Sequence, residues 1–306
     1  MKTKTPTINS PRLSLRLAPT LVVAAVFILS VAAQHTYAAP GDLFESDFDS
    51  GNIYQFTPGG VRSTFASGLS GPDELAFDSA GNLFEADQHS GNIYEFTPGG
   101  ARSTFASGLS LPTGLAFDSA GNLFETDQSS GNIYEFTPGG ARTTFASGLL
   151  QPGGLVFNNA GYLFVADGSG NIYQFTPGGV RSTFASGVSR PVGLAFDSAG
   201  NLFATAQNSG NIYEFTPGGA RTTFASGLSL PQHLAFDSAG VLFEADYGSG
   251  NVYEFTPGGS RSTFASGLNG PAGLAFEPVP EGSTLGLLAV GALALGFVWV
   301  RRMIKD

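Results

Sequence analysis

The sequence predicts an all-β protein, a six-bladed β-propeller, and three observations carry that prediction. A unit of about forty residues recurs six times, each copy holds four short runs of β-forming residues, and turn-forming residues separate the runs at fixed offsets. The copies start at Gly41, Gly81, Gly121, Gly161, Gly200 and Gly240.

The runs are typified by GLAFD, NLFEAD, NIYEF and RSTFASG, rich in aromatic and β-branched side chains. Between the first two stands Asp-Ser-Ala-Gly-Asn, as at Asp118 to Asn122, where Gly and Asn accept left-handed backbone. Between the last two stands Thr-Pro-Gly-Gly, as at Thr97 to Gly100, with Pro pre-setting φ. No helical periodicity interrupts residues 41–278. The repeating region opens on a strand of the second type, GDLFESD, and closes on one of the first type, Gly273 to Phe276. The last blade is therefore expected to take three strands from residues 42–70 and its innermost strand from 270–277, which closes the ring and removes an open sheet edge.

Composition agrees with a packed β domain. The 306 residues carry a net charge of −10, only 12% charged residues, 12% aromatics and no cysteine. Disulfides and thiolate metal sites are excluded. All but Glu281 and Asp306 of the 24 acidic residues fall in the repeats, against seven arginines, which argues against a nucleic-acid partner. One arginine opens the outer run of each copy (62, 102, 142, 181, 221 and 261) and is expected to pair with a nearby acid such as Glu95.

The two ends have a different character. Residues 1–38 join a basic stretch (Lys2, Lys4, Arg12, Arg16) to an apolar run, Leu21 to Ala33, with small-residue cleavage sites after Ala33 or Ala38. That is the pattern of a signal peptide, or of an uncleaved anchor, and predicts export. Residues 279–306 hold Pro280-Glu281, an apolar run from Thr284 to Val300, and the basic residues Arg301, Arg302 and Lys305. A transmembrane helix is expected there, its basic end cytoplasmic. The segment resembles the PEP-CTERM sorting signal of Gram-negative bacteria, with Gly282 in place of the usual second proline. The resemblance implies processing by an exosortase-type enzyme and delivery to the cell surface or extracellular matrix; a plain membrane anchor is the alternative.

The repeats resemble NHL-repeat and gluconolactonase-like (SMP-30) propellers. Pro112-Thr113-Gly114-Leu115-Ala116-Phe117-Asp118 and Gly121-Asn122-Leu123-Phe124-Glu125-Thr126-Asp127 match their blade pattern across residues 41–278, although the basic residue that often opens the third NHL strand is absent. Gluconolactonases imply a divalent cation, calcium or zinc, held by oxygen ligands at the inner-strand starts. Glu74 falls at a plausible ligand position, but Thr113, Gly153, Val192 and Ala272 stand where further ligands belong.

Differences among the copies fall in two loops, before the innermost strand and after the second one. In a four-stranded meander both emerge on one face, around the channel mouth. Three consecutive blades bring Asp73, Glu74, Gln88, His89, Phe48, Asp49, Gln232, His233 and Tyr247; the opposite half brings Thr113, Gln128, Ser129, Gln207, Asn208 and the unmatched base Arg190. Asp73, Glu74, His89 and His233 are candidate catalytic residues. Phe48, Asp49, Gln88, Gln232, Tyr247 and Arg190 are candidate ligand-binding residues, and Glu74, Asp49 and His233 candidate metal ligands. Three readings remain open: a binding or scaffold module for extracellular polysaccharide or a surface protein, a metal-dependent lactonase-like hydrolase or lyase, and a structural filler of duplicated blades that serve no single ligand. The second-strand Asp becomes Ala206 in one copy and the accompanying Glu becomes Val165 or Ala204 in two, so neither is expected to repeat a catalytic role. The Asp is expected to bond loop amides.

Overall fold

A computed structural model describes residues 41–278. The expected signal peptide and sorting segment lie outside the described residues. Within them there is no helix, and 24 strands form six four-stranded antiparallel sheets.

Numbered along the chain, β1 (Leu43–Asp47), β2 (Asn52–Phe56) and β3 (Arg62–Ser67) come first, followed by blade 1: β4 (Pro72–Phe77), β5 (Leu83–Asp87), β6 (Asn92–Phe96) and β7 (Arg102–Ala106). Blades 2 to 5 open with inner strands β8 (Pro112–Phe117), β12 (Leu155–Phe157), β16 (Pro191–Phe196) and β20 (Pro231–Phe236). The last strand, β24 (Pro271–Phe276), joins β1, β2 and β3 as the closing blade 6. The pairing of Leu43 with Phe276 and of Asp47 with Pro271 seals the ring in the expected register. Inner strands neighbour one another in the order β24, β4, β8, β12, β16, β20 and back to β24.

The core lies between the blades. Phe84 of β5 meets Phe105 of its own blade at 5.1 Å and Phe117 of blade 2 at 5.0 Å, both edge to face, and the arrangement recurs around the ring. Each such pair adds about 0.5–1.5 kcal/mol beyond burial, so the phenylalanines hold neighbouring sheets together as well as filling space.

The Asp ending the second strand ties the loops down as expected. Asp87 accepts the Ser70 N–H at 2.7 Å and the Ser90 N–H at 3.1 Å. The outer arginines behave differently from expectation. Arg102 stacks over the Tyr94 ring at 5.0 Å and its equivalents do the same, while no arginine among the described residues forms an ion pair. Tyr94 precedes Glu95 on the strand, so it lies on the opposite side of the sheet from that carboxylate. The guanidinium follows the aromatic face.

Candidate ligand-binding site at the channel mouth

At one register position of the inner strands, four blades carry glycine: Gly114, Gly154, Gly193 and Gly273. Blades 1 and 5 carry Glu74 and His233 there instead. These two blades flank the closing blade. A Cβ at Gly273 would lie 2.2 Å from the Asp73 carbonyl oxygen, so the glycine of the closing strand lets β4 approach it closely.

The His233 ring lies between two carboxylates of β4, in space left open at Gly154, where an added Cβ would stand 3.3 Å from Nδ1. Its Nε2–H donates to Asp73 Oδ1 at 3.1 Å, and Nδ1 stands 3.0 Å from Glu74 Oε1 in an ionic contact too bent for a good hydrogen bond. The other two carboxylate oxygens are also taken. Gln88 Nε2 donates to Asp73 Oδ2 at 3.2 Å, and the Leu115 N–H of β8 donates to Glu74 Oε2 at 3.0 Å. Exposure is 9% for Asp73, 8% for Glu74 and 1% for His233. Burial alone would favour the neutral ring, but the Glu74 charge and the contacts with both carboxylates outweigh it and raise the imidazole pKa to about 10. The trio is a charged clasp across the channel, linking blades 5, 1 and 2.

Above the clasp lies a cavity of about 330 Å³ lined by residues from both variable loop types. Its two halves differ in chemistry. On blades 5, 6 and 1 an aromatic strip runs along the rim: Tyr247 meets Phe48 at 6.4 Å, and Phe48 meets His89 at 5.2 Å, both edge to face. The Tyr247 hydroxyl donates to Asp49 Oδ2 at 2.9 Å. Phe48 and Tyr247 line the cavity; His89 buttresses Phe48 from outside. On blades 2 to 4 the wall is polar, formed by Gln128, Gln151, Arg190 and Gln207. Among the described residues these four side chains make no hydrogen bond, so their donors and acceptors face the cavity unmatched. Gln232 lies at the junction of the halves.

The polar wall stands on constrained backbone. Leu111, Gln151, Arg190 and Leu230 have φ of 60, 45, 57 and 59°, at the position before proline where the other two copies have glycine. Side chains there cost about 1–2 kcal/mol each. Three of these four, Gln151, Arg190 and Leu230, line the cavity.

Of the candidates read from sequence, the structure brings Asp73, Glu74, His233 and Gln88 together in the clasp. Phe48, Tyr247, Gln232 and Arg190 lie around the cavity. Asp49 and His89 stand apart from the clasp, on the aromatic rim. Glu74, Asp49 and His233 therefore do not converge on one point, and no three His, Asp or Glu side chains among the described residues are grouped as metal ligands. Gln151, Gln207 and Gln128 were not among the sequence candidates as ligand contacts. Gln151 departs from its counterparts at a variable loop position, whereas Gln128 and Gln207 share theirs with Gln88.

No family model and no curated protein matches the sequence. The fold does have solved counterparts. A chain of the nidogen/laminin complex superposes with a TM-score of 0.72 at 20% identity, covering 79% of this chain and 99% of the other. Virginiamycin B lyase from Staphylococcus aureus gives 0.63 at 16%, covering 79% and 87%. A gluconolactonase from Xanthomonas campestris gives 0.62 at 14%, covering 78% and 88%. The chain shares their fold. At such identities the likeness extends to the ring of blades and leaves the chemistry of the mouth to this chain's own residues.

Proposed function

We propose that this propeller is the binding module of an exported, surface-delivered protein and that its ligand is a sugar unit of an extracellular polysaccharide. The carrying observation is the two-sided cavity. Unmatched amides and a guanidinium on one wall suit a hydroxyl-rich edge, and Phe48 and Tyr247 on the other suit the apolar face of a pyranose ring. A volume of about 330 Å³ fits a small ring and is small for a protein surface, which favours sugar over a protein partner.

The alternative, a lactonase-like hydrolase or lyase, has support from the fold's company. It would need Glu74 and His233 released from each other, because an imidazolium held between two carboxylates has no lone pair to accept a proton. A divalent cation at this floor would likewise have to displace Gln88, Leu115 and His233 from the carboxylates.

Binding of the purified domain to an immobilised glycan panel tests the reading. Phe48→Ala should weaken the best ligand at least about tenfold, the loss typical of an anchoring aromatic, while the domain stays folded at the assay temperature despite losing the edge-to-face contacts with Tyr247 and His89. Turnover of lactones or of virginiamycin B by the same preparation, with stoichiometric bound metal, would overturn it in favour of the enzyme.

A further inference from the structure

The sugar-binding reading, on which this inference rests, leaves open which sugar is bound, and Arg190 narrows the choice. Seven arginines occur in residues 41–278, and six of them stack on the tyrosines of the blade edges. Arg190 does not. It lines the cavity, and among the described residues no carboxylate lies within ion-pair distance and its guanidinium has no hydrogen-bond partner. Its backbone is left-handed, φ 57°, immediately before Pro191, a residue that itself restricts its predecessor. Glycine would relieve that strain and is what two sibling loops use.

The neighbours point the same way. Gln151 and Gln207 line the cavity on either side of Arg190 in the sequence of loops, and each offers an uncommitted amide. A guanidinium with free N–H donors beside it matches a planar or tetrahedral oxyanion, and such charge-assisted bonds are roughly twice as strong as neutral ones. The clasp adds a directional constraint. Its two carboxylates and one imidazolium leave an excess negative charge on the β4 side of the floor, and β16, which follows Arg190, lies diametrically opposite β4 in the ring. An anionic group is therefore repelled from the clasp side and drawn to the Arg190 side. One ring then has a single favoured orientation, with its charge on Arg190 and its face toward Phe48 and Tyr247.

We propose that the cavity selects an anionic sugar, with Arg190, Gln151 and Gln207 holding its carboxylate or sulfate ester.

The test compares uronate oligosaccharides, the same oligosaccharides with their carboxyls reduced to alcohols, and sulfated oligosaccharides, as ligands of the wild type, Arg190→Gln, Arg190→Lys and Phe48→Ala. The expected result is acidic ligand bound at least about tenfold tighter than its reduced form, with Arg190→Gln erasing that preference and Arg190→Lys restoring part of it. Affinity for the acidic ligand should also fall with added salt in the wild type and not in Arg190→Gln. Preference for the uronate or for the sulfated set identifies the oxyanion. Equal binding of acidic and reduced ligands, or acidic binding unaffected by Arg190→Gln, overturns the assignment. If Phe48→Ala still abolishes binding in that case, the sugar site itself stands. A wild type that binds no member of the panel removes the sugar reading and this inference together. Arg190 is exposed and its side chain holds no other residue, while its carbonyl, which accepts the Gln207 N–H, is kept in the variants, so they should melt with the wild type; a lowered melting temperature would instead make the side chain structural.

Discussion

His233 sits where burial and charge oppose each other, and the two carboxylates of β4 decide the outcome. A buried imidazole alone would lose its proton, yet here the pKa rises from 6.5 to about 10. The folded protein holds the proton more tightly than the unfolded chain, so the clasp's contribution is complete below pH 6.5 and is lost as pH rises through about 10. His233→Gln should destabilise the domain by about 3–5 kcal/mol at pH 7, because Asp73 and Glu74 would be left as buried charges without a counter-ion. Adding Asp73→Asn and Glu74→Gln to that variant should recover much of the loss. Denaturant melts of the single and triple variants check the first point. The His233 imidazole resonances check the second, since they should show no titration between pH 5 and 8. A midpoint near 6.5 would mean that the ring is not clasped.

The loop before each inner strand decides how wide the mouth opens and what lines it. At Gly71, φ is 70° and an added Cβ would lie 2.8 Å from His89 Nδ1 and 3.1 Å from Phe48 Cζ. Gly71→Ala should therefore cost about 1–3 kcal/mol, as overpacking and strained backbone do, and push the aromatic strip off the rim. Leu111 occupies the same position in blade 2 with φ 60° and lies outside the cavity lining. Leu111→Gly should relieve strain and gain up to about 1 kcal/mol, the αL penalty less the extra entropy of glycine in the unfolded chain. Melting curves of the two variants should move in opposite directions. Local chemistry also explains how much could be read in advance. Strand types, turns and ring closure were legible because each copy repeats them and the hydrophobic pattern admits one register. The meeting of Glu74 with His233 was legible only as a pair of exceptions at a glycine position, since their contact spans 159 residues of chain and depends on the room that Gly154 and Gly193 leave for His233. The pairing of Asp49 with Tyr247, and the stacking of Arg102 on Tyr94 in preference to Glu95, depend on side-chain direction and competition among neighbours, which a linear pattern does not rank.

Across the whole ring, four of the six blades bury a glutamate in the same place on the second strand. Glu45, Glu85, Glu125 and Glu244 are fully buried, and none of their carboxyl oxygens has a hydrogen-bond partner among the described residues. Burial first, and then the neighbouring Asp of the same strand, raises each pKa well above 4.5, against a smaller lowering by the arginine of the outer strand. Blades 3 and 4 put Val165 and Ala204 there, and both pack into the cores between blades. The position is thus apolar by surroundings, and the glutamates occupy it protonated. Above pH 4.5 the unfolded chain releases these protons while the folded ring keeps them, so stability falls as pH rises. The loss adds to that from His233, and both act in the alkaline direction. The domain should be most stable in mild acid and its melting temperature should decline steadily toward pH 10. Glu85→Val, copying blade 3, removes a buried group without partners and should stabilise by about 1–3 kcal/mol at pH 7 and by less at pH 4. Replacing all four glutamates should flatten the decline and leave only the step that belongs to the clasp. A melting temperature that is flat from pH 4 to 9 in the wild type would show that the four carboxyls find partners in solution and that the ring is not held by their protonation.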